Sequence, residues 1–290
     1  MDRRFRRLAA LVAAGSLLIT VAGSALAASP AKLTLAIADT TVGPTATGNA
    51  HVRVVHGSPD APKVDVYAGA DLASAAKVAP LSGLSFGDVS AYADVPAGTY
   101  AIKVCATAAP QVCPIEVPSI ALAADAYYTI AASDLLANIQ ATVFTDTPAP
   151  SDAGAQLRVY HLSADTPAVD VLTAAGGDID PALDGLAYPN ATGYLTLPAA
   201  SYDVKVCAQA DNSVCPIGPA TLNVSASHTY SIFAIGSLAG PQATPPATST
   251  ISEDGTTTSS SSGLALLVTV LALVVGFAGS LRFATARNRR

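Results

Sequence analysis

Along much of the chain apolar and polar residues alternate with a period of two. Val52, Val54 and His56 share one face, with Arg53 on the other; Val64 and Val66 share a face opposite Lys63 and Asp65. Tyr100, Ile102 and Val104 follow, with Ala101, Lys103 and Cys105 opposite, and then Tyr128, Ile130 and Ala132. The pattern returns as Leu157, Val159 and His161, then Val169 and Val171, then Tyr202, Val204 and Val206, then Tyr230 and Ile232. A period of two marks strands that bury one face, and no long 3.6-residue period interrupts it. Turns rich in Gly and Pro, such as Pro96-Ala97-Gly98, separate the runs. The expected fold is all-β, with Arg53, Asp65 and Cys105 pointing outward, away from the core.

The alternation is duplicated. Arg53-Val54-Val55-His56-Gly57-Ser58-Pro59-Asp60 recurs as Arg158-Val159-Tyr160-His161-Leu162-Ser163-Ala164-Asp165 at an offset of 105, and Asp65 recurs as Asp170. Further on the offset becomes 102, matching Tyr92 to Tyr194, Tyr100 to Tyr202, Cys105 to Cys207, Cys113 to Cys215 and Tyr128 to Tyr230. Two tandem immunoglobulin-like β-sandwich domains are therefore expected, over 50–146 and 155–238, joined by a linker at 147–154. Residues 28–49 form a leader in which Leu33, Leu35 and Ile37 alternate as in one added strand. The copies differ at one point. Ile139–Phe144 reads as the last strand of the first domain, but the offset carries it onto Pro241-Gln242-Ala243-Thr244-Pro245-Pro246. Proline lacks the ladder donor, so the second domain is expected to lack this strand or to keep only a stub of it.

The two ends carry an address. Arg3, Arg4, Arg6 and Arg7 precede an apolar stretch and the small-residue site Ala25-Leu26-Ala27, which reads as a signal peptide over 1–27. The 19 residues 263–281 hold no charge; as a helix they would span about 28 Å, close to a bilayer's hydrocarbon core. Arg282, Arg287, Arg289 and Arg290 follow. The positive-inside rule then keeps the tail at 282–290 in the cytoplasm, with everything before the helix outside. Residues 239–262, rich in Pro, Thr and Ser, read as a stalk. These segments raise the mean hydropathy to +0.43 and the apolar share to 51%.

Charge narrows the partners. Between residues 28 and 262 stand seven basic and twenty acidic residues, a net charge of −13. Such a surface repels phosphate backbones and excludes nucleic acid as a ligand. Export favours disulfides. Of the three pairings four cysteines allow, the repeat selects Cys105 with Cys113 and Cys207 with Cys215, each clipping a hairpin loop. The chain-entropy contribution is about 2.5 kcal/mol per bridge. The spacing is too wide for a four-cysteine zinc site. Since Cys105 points outward while Cys113 shares parity with Ile115, a bulge at Pro114 is expected between them.

The recurring polar set is His56, Ser58, Asp60 and Asp65, echoed by His161, Ser163, Asp165 and Asp170. A hydrolytic triad needs these groups within hydrogen-bond reach. The alternation places His56 toward the core and Asp65 away from it, and Ser58-Pro59-Asp60-Ala61-Pro62 is itself turn-forming. The set is read as a structural motif, a strand-end histidine tied to its turn. Asp178, Asp180 and Asp184 form a second acidic group without the spacing of an EF-hand.

The stretch Val52–Tyr67 (VRVVHGSPDAPKVDVY), with Phe86-Gly87, Tyr92 and Pro96-Ala97-Gly98-Thr99-Tyr100, resembles a bacterial exported family known as domain of unknown function 4397. The resemblance covers both repeats. The second copy departs from it where Ala164, Thr166 and Ala200 replace Pro59, Ala61 and Gly98. The resemblance implies a β-sandwich on the cell envelope, and it brings no catalytic residues. The whole reading is a non-enzymatic, membrane-anchored surface protein without a cofactor. Its expected role is envelope structure, adhesion or binding of an extracellular protein or glycan. The alternatives are an envelope hydrolase using His56 or His161, or a carbohydrate- or calcium-binding module.

Overall fold

The computed structural model describes residues 33–40, 47–149 and 153–240, with the backbone of two short strands at 249–251 and 257–259. The signal peptide and the apolar C-terminal helix read from the sequence lie outside these residues. Among the described residues no helix is long and apolar enough to cross a membrane.

The protein is all-β. After β1 (Thr34–Asp39) comes a first module built from β2 (Asn49–His56), β3 (Val64–Gly69), β4 (Ala76–Leu84), β5 (Ala93–Pro96), β6 (Gly98–Ala106), β7 (Ile115–Leu122), β8 (Tyr127–Ser133) and β9 (Gln140–Asp146). The second module holds β10 (Ala155–His161), β11 (Val169–Thr173), β12 (Leu195–Leu197), β13 (Ala200–Ala208), β14 (Ile217–Val224) and β15 (Thr229–Ile235). Within the segment read as a stalk run β16 (Ser249–Ile251) and β17 (Thr257–Ser259), with β16 parallel to β1.

In the first module a sheet of order β5-β2-β8-β9 faces one of order β4-β3-β6-β7. Between them lie Val52, Val54, Val64, Val66, Ile102, Val104, Ile115, Tyr128 and Ile130, the inward set of the alternation. In the second module β12-β10-β15-β1 faces β11-β13-β14 over Leu157, Val159, Val169, Val171, Val204, Val206, Tyr230 and Ile232. The parallel pairs β2 with β8 and β10 with β15 repeat the same wiring in both copies.

The place beside β15 that β9 holds beside β8 is taken by a strand from the other end of the chain. In the first module β9 pairs antiparallel with β8, placing Thr145 opposite Tyr128. In the second, β1 pairs antiparallel with β15, placing Asp39 opposite Tyr230, the repeat equivalent of Tyr128. Thus β1 occupies the position of β9 in the same direction and register. Leu33, Leu35 and Ile37 join the second module's core, each less than a tenth exposed. The proline-bearing segment 241–246 lies outside the described residues. A β15 edge without a partner would expose a ladder of unpaired donors and acceptors, and β1 covers it.

The two modules stack. A third cluster, including Val55, Phe86, Ala131, Phe144, Tyr160, Leu162, Phe233 and Ile235, joins the outer face of β5-β2-β8-β9 to that of β12-β10-β15-β1. The central strands β2, β8 and β15 are therefore buried on both faces, β15 at every position. This corrects the alternation reading: Arg53 points away from its own core yet is fully buried against the other module. The signal was present in Val55, Tyr160 and Phe233, apolar residues on faces that alternation alone assigns outward.

Asp65 and Cys105 are likewise outward in parity but buried, and they stand opposite each other in the β3–β6 register. The hairpin loop after β6 folds over them, with Cys105 bridged to Cys113 and, in the second module, Cys207 to Cys215. No bulge is needed at Pro114, because Val104 pairs regularly with Ile115. The irregularity falls further along, between Tyr100 and Ile102 and again between Val204 and Val206.

Candidate functional site

The repeated polar motif closes the loop between the first two strands of each module. His56 ends β2 with its Nε2 2.9 Å from the Pro62 carbonyl, and His161 ends β10 with Nε2 3.1 Å from the Pro167 carbonyl. A carbonyl only accepts, so each ring carries a proton on Nε2. In the second copy the Ser163 amide donates to Nδ1 at 3.3 Å; in the first, Nδ1 of His56 has no partner among the described residues. Burial pushes both imidazoles below their ordinary pKa, against the carbonyl bonds that raise it.

The serines and first aspartates of the motif tie this loop to the one after β8 or β15. Ser58 is fully buried, and its Oγ donates to Asp60 at 3.4 Å; the Leu136 amide donates to the same carboxylate at 2.7 Å. Asp165 receives Ser163 Oγ at 3.2 Å, Ser237 Oγ at 2.6 Å, and the amides of Leu238 and Ala239 at 2.8 Å each. Leu136 and Leu238 are repeat equivalents, so both copies make the same staple. Burial works to raise the Asp165 carboxyl, but the donors from Ser237, Leu238 and Ala239 outweigh it and hold it below the ordinary value.

The second aspartates serve the opposite sheet. Asp65 accepts from Lys77 Nζ at 2.7 Å, the Gly83 amide at 2.8 Å and Thr107 Oγ1 at 3.0 Å; Asp170 accepts from the Gly185 amide at 2.7 Å. Among the described residues no hydrogen bond or ion pair joins His56 to Asp65 or His161 to Asp170. The structure therefore does not bring the motif together as nucleophile, base and orienting acid. It distributes the residues over two loop anchors per module.

The acidic run at 178–184 has a packing role. Asp180 Oδ1 accepts from the Ala182 amide at 2.9 Å and caps a single 3₁₀ turn, Pro181–Leu183, which drives Leu183 fully into the second core. Burial and then repulsion from Asp178, Asp170 and Asp180 push the Asp184 carboxyl up. Among the described residues no group of three or more His, Cys, Asp or Glu is placed to hold a metal ion.

Two sites escape the motif reading. The first lies between the modules. Arg53 donates from Nε to Thr129 at 2.7 Å and from one terminal nitrogen to Ser231 at 2.8 Å, Tyr160 at 3.2 Å and Asp146 at 3.5 Å. Its guanidinium lies 4.7 Å from the Tyr92 ring centre and 5.2 Å from that of Phe233. Asp146 also accepts from Arg158 at 2.6 Å, Tyr160 at 2.5 Å, Tyr92 at 2.8 Å and, at very short range, Thr129. Burial pushes the hydroxyls of Tyr92, Tyr160 and Tyr194 up, so they stay neutral, and those of Tyr92 and Tyr160 donate to Asp146. Arg53 and Arg158, Tyr92 and Tyr194, and Thr129 and Ser231 are repeat equivalents, so the copies meet through the same residues. Among the described residues, Asp146 is the carboxylate that pairs with both arginines.

The second is a cleft of about 260 Å³ between the two sheets of the first module, lined by Val54, Val66, Val78, Tyr100, Ile102 and Ile130 among others, with Asp94 at its mouth. Its walls are aliphatic, and it opens where β4 and β5, the edge strands of facing sheets, part. A concave apolar site with few polar groups is the usual form of a small-molecule pocket.

Together these features define a tandem all-β protein whose modules share a motif-stapled loop and one disulfide each. The chain belongs to the family of domain of unknown function DUF4397, whose model matches residues 50–172 and 155–264. No curated protein matches the chain.

Proposed function

We propose that this chain is a non-enzymatic cell-surface protein. In this reading a single C-terminal helix holds two immunoglobulin-like β-sandwiches outside the membrane, where they bind an extracellular partner. The carrying observation is the engagement of the His-x-Ser-x-Asp residues. His56 and His161 hold backbone carbonyls, and Ser58 and Ser163 are fully buried donors to Asp60 and Asp165. A hydrolase would need one of these serines open to substrate and in reach of a histidine. The two intramodule disulfides and the acidic surface suit an oxidising exterior.

Protease treatment of intact cells tests the placement. The modules should be digested from outside while a short C-terminal fragment stays in the membrane fraction, and removal of 263–290 should release the chain to the medium. Full protection in intact cells would refute it. The non-enzymatic reading is tested by Ser58→Ala and Ser163→Ala, separately and together. Any hydrolysis of envelope esters or peptides by the full chain that these folded variants abolish would refute it.

A further inference from the structure

We infer that the first module binds a small aliphatic molecule with a non-anionic polar end in the cleft between its two sheets. This deepens the binding role proposed above by naming the ligand's chemistry. Val54, Tyr100 and Ile130 line the cleft of the first module, and their equivalents Val159, Tyr202 and Ile232 line the same place in the second. There the space shrinks from about 260 Å³ to about 20 Å³.

The chain itself fills the second cleft. Ile179 and Leu183 enter it from the 178–184 segment, Leu157 and Leu197 replace Val52 and Val95, and Leu35 of β1 stands where β9 has Ala141. In the first module the corresponding connection forms β4 instead. That strand hydrogen-bonds to the edge of β3 and buries Leu81, the repeat equivalent of Leu183, while Val78 stays half-buried beside the cleft. The second module thus shows what this space accepts: branched aliphatic groups in contact with valine, isoleucine and the face of a tyrosine. An apolar cavity of about 150 Å³ takes a benzene ring, so the larger one has room for a chain of about eight carbons.

The mouth selects the polar end. Asp94 on β5 is about half exposed there, with its carboxylate 2.6 Å from His51 Nδ1. The Tyr100 hydroxyl is turned to the Pro96 carbonyl at 2.8 Å. None of the residues lining the cleft is a lysine or arginine, and the net charge of residues 28–262 is −13. A carboxylate or phosphate head would meet only repulsion, while an ammonium would gain a partner and a hydroxyl could donate.

The test is calorimetric titration of the full chain in nanodiscs with n-hexylammonium, n-octylammonium, n-octanol and octanoate. The filled variant Val52→Leu/Val95→Leu/Ala141→Leu serves as background, because ligand partitioning into the lipid is common to both. Each added methylene should tighten binding about fourfold until the cleft is full. Octanoate should bind roughly tenfold more weakly than octylammonium, and Asp94→Asn should narrow that gap. Should the filled variant not fold, Val78→Trp at the half-exposed mouth replaces it as the blocked form. Equal heats for native and blocked proteins would overturn the site, and octanoate binding as tightly as octylammonium would overturn its selectivity. Neither result bears on surface placement, which the protease experiment reads separately.

Discussion

Removing β1 should unfold the second module and leave the first standing. The perturbation is deletion of residues 33–40 from the full chain. Leu33, Leu35 and Ile37 are 3%, 6% and 7% exposed in the second core. At about 1.5–3 kcal/mol for each buried side chain, their loss costs about 5–9 kcal/mol. The β15 edge also loses the strand that pairs with it from Tyr230 to Ile235. A domain's whole stability is about 5–15 kcal/mol, so little or none remains. The first module keeps both of its own sheets and its own core; it loses its contacts across the interface, where Arg53 and Asp146 open to water. Hydrogen exchange read by mass spectrometry is the assay. Amides of β10, β13 and β15 should lose protection while those of β3, β6 and β8 keep it, and a synthetic 33–40 peptide should restore part of the loss. Unchanged protection in β15, or equal loss in both modules, would refute the donated-strand reasoning.

Three further outcomes are expected. Asp146→Ala strips Arg53 and Arg158 of their shared carboxylate and leaves a fully buried guanidinium without a counter-charge; it should cost about 3–5 kcal/mol by urea unfolding, far more than Asp71→Ala on the surface. Because His56 and His161 are held neutral with pKa values below their ordinary one, the unfolded chain takes up protons first. Stability should therefore be complete above about pH 6.5 and decline as pH falls below it, and Gln at both positions should flatten the change in urea midpoint between pH 7.5 and 5. Leu183→Ala should cost about 2–5 kcal/mol and reopen the second cleft, which xenon or n-octanol binding would report; an unchanged midpoint would deny Leu183 its role as the plug.

Much of this molecule is written locally. A period of two places Val52, Val54 and Ile130 inward whatever lies beyond the sheet, because successive side chains of a strand leave on opposite faces. Equal cysteine spacing in two copies selects the pairs Cys105–Cys113 and Cys207–Cys215, since a short hairpin loop can close on itself without help from afar. The prolines at 241, 245 and 246 remove ladder donors by covalent structure, whatever the segment around them does.

The tertiary structure decided what those local rules leave open. Alternation gives Arg53, Val55 and Phe233 a side but not a neighbour, and only the stacking of two inner sheets turned that side into an interior. The leader's alternation foretold a strand but not its place, which is set by a vacant β15 edge about 190 residues away. Nor does composition distinguish the open cleft from the filled one. The difference lies in the side chains that converge on the space, Leu35, Leu157, Ile179 and Leu197 in the second module, which come from four separate segments that only the assembled sheets bring together.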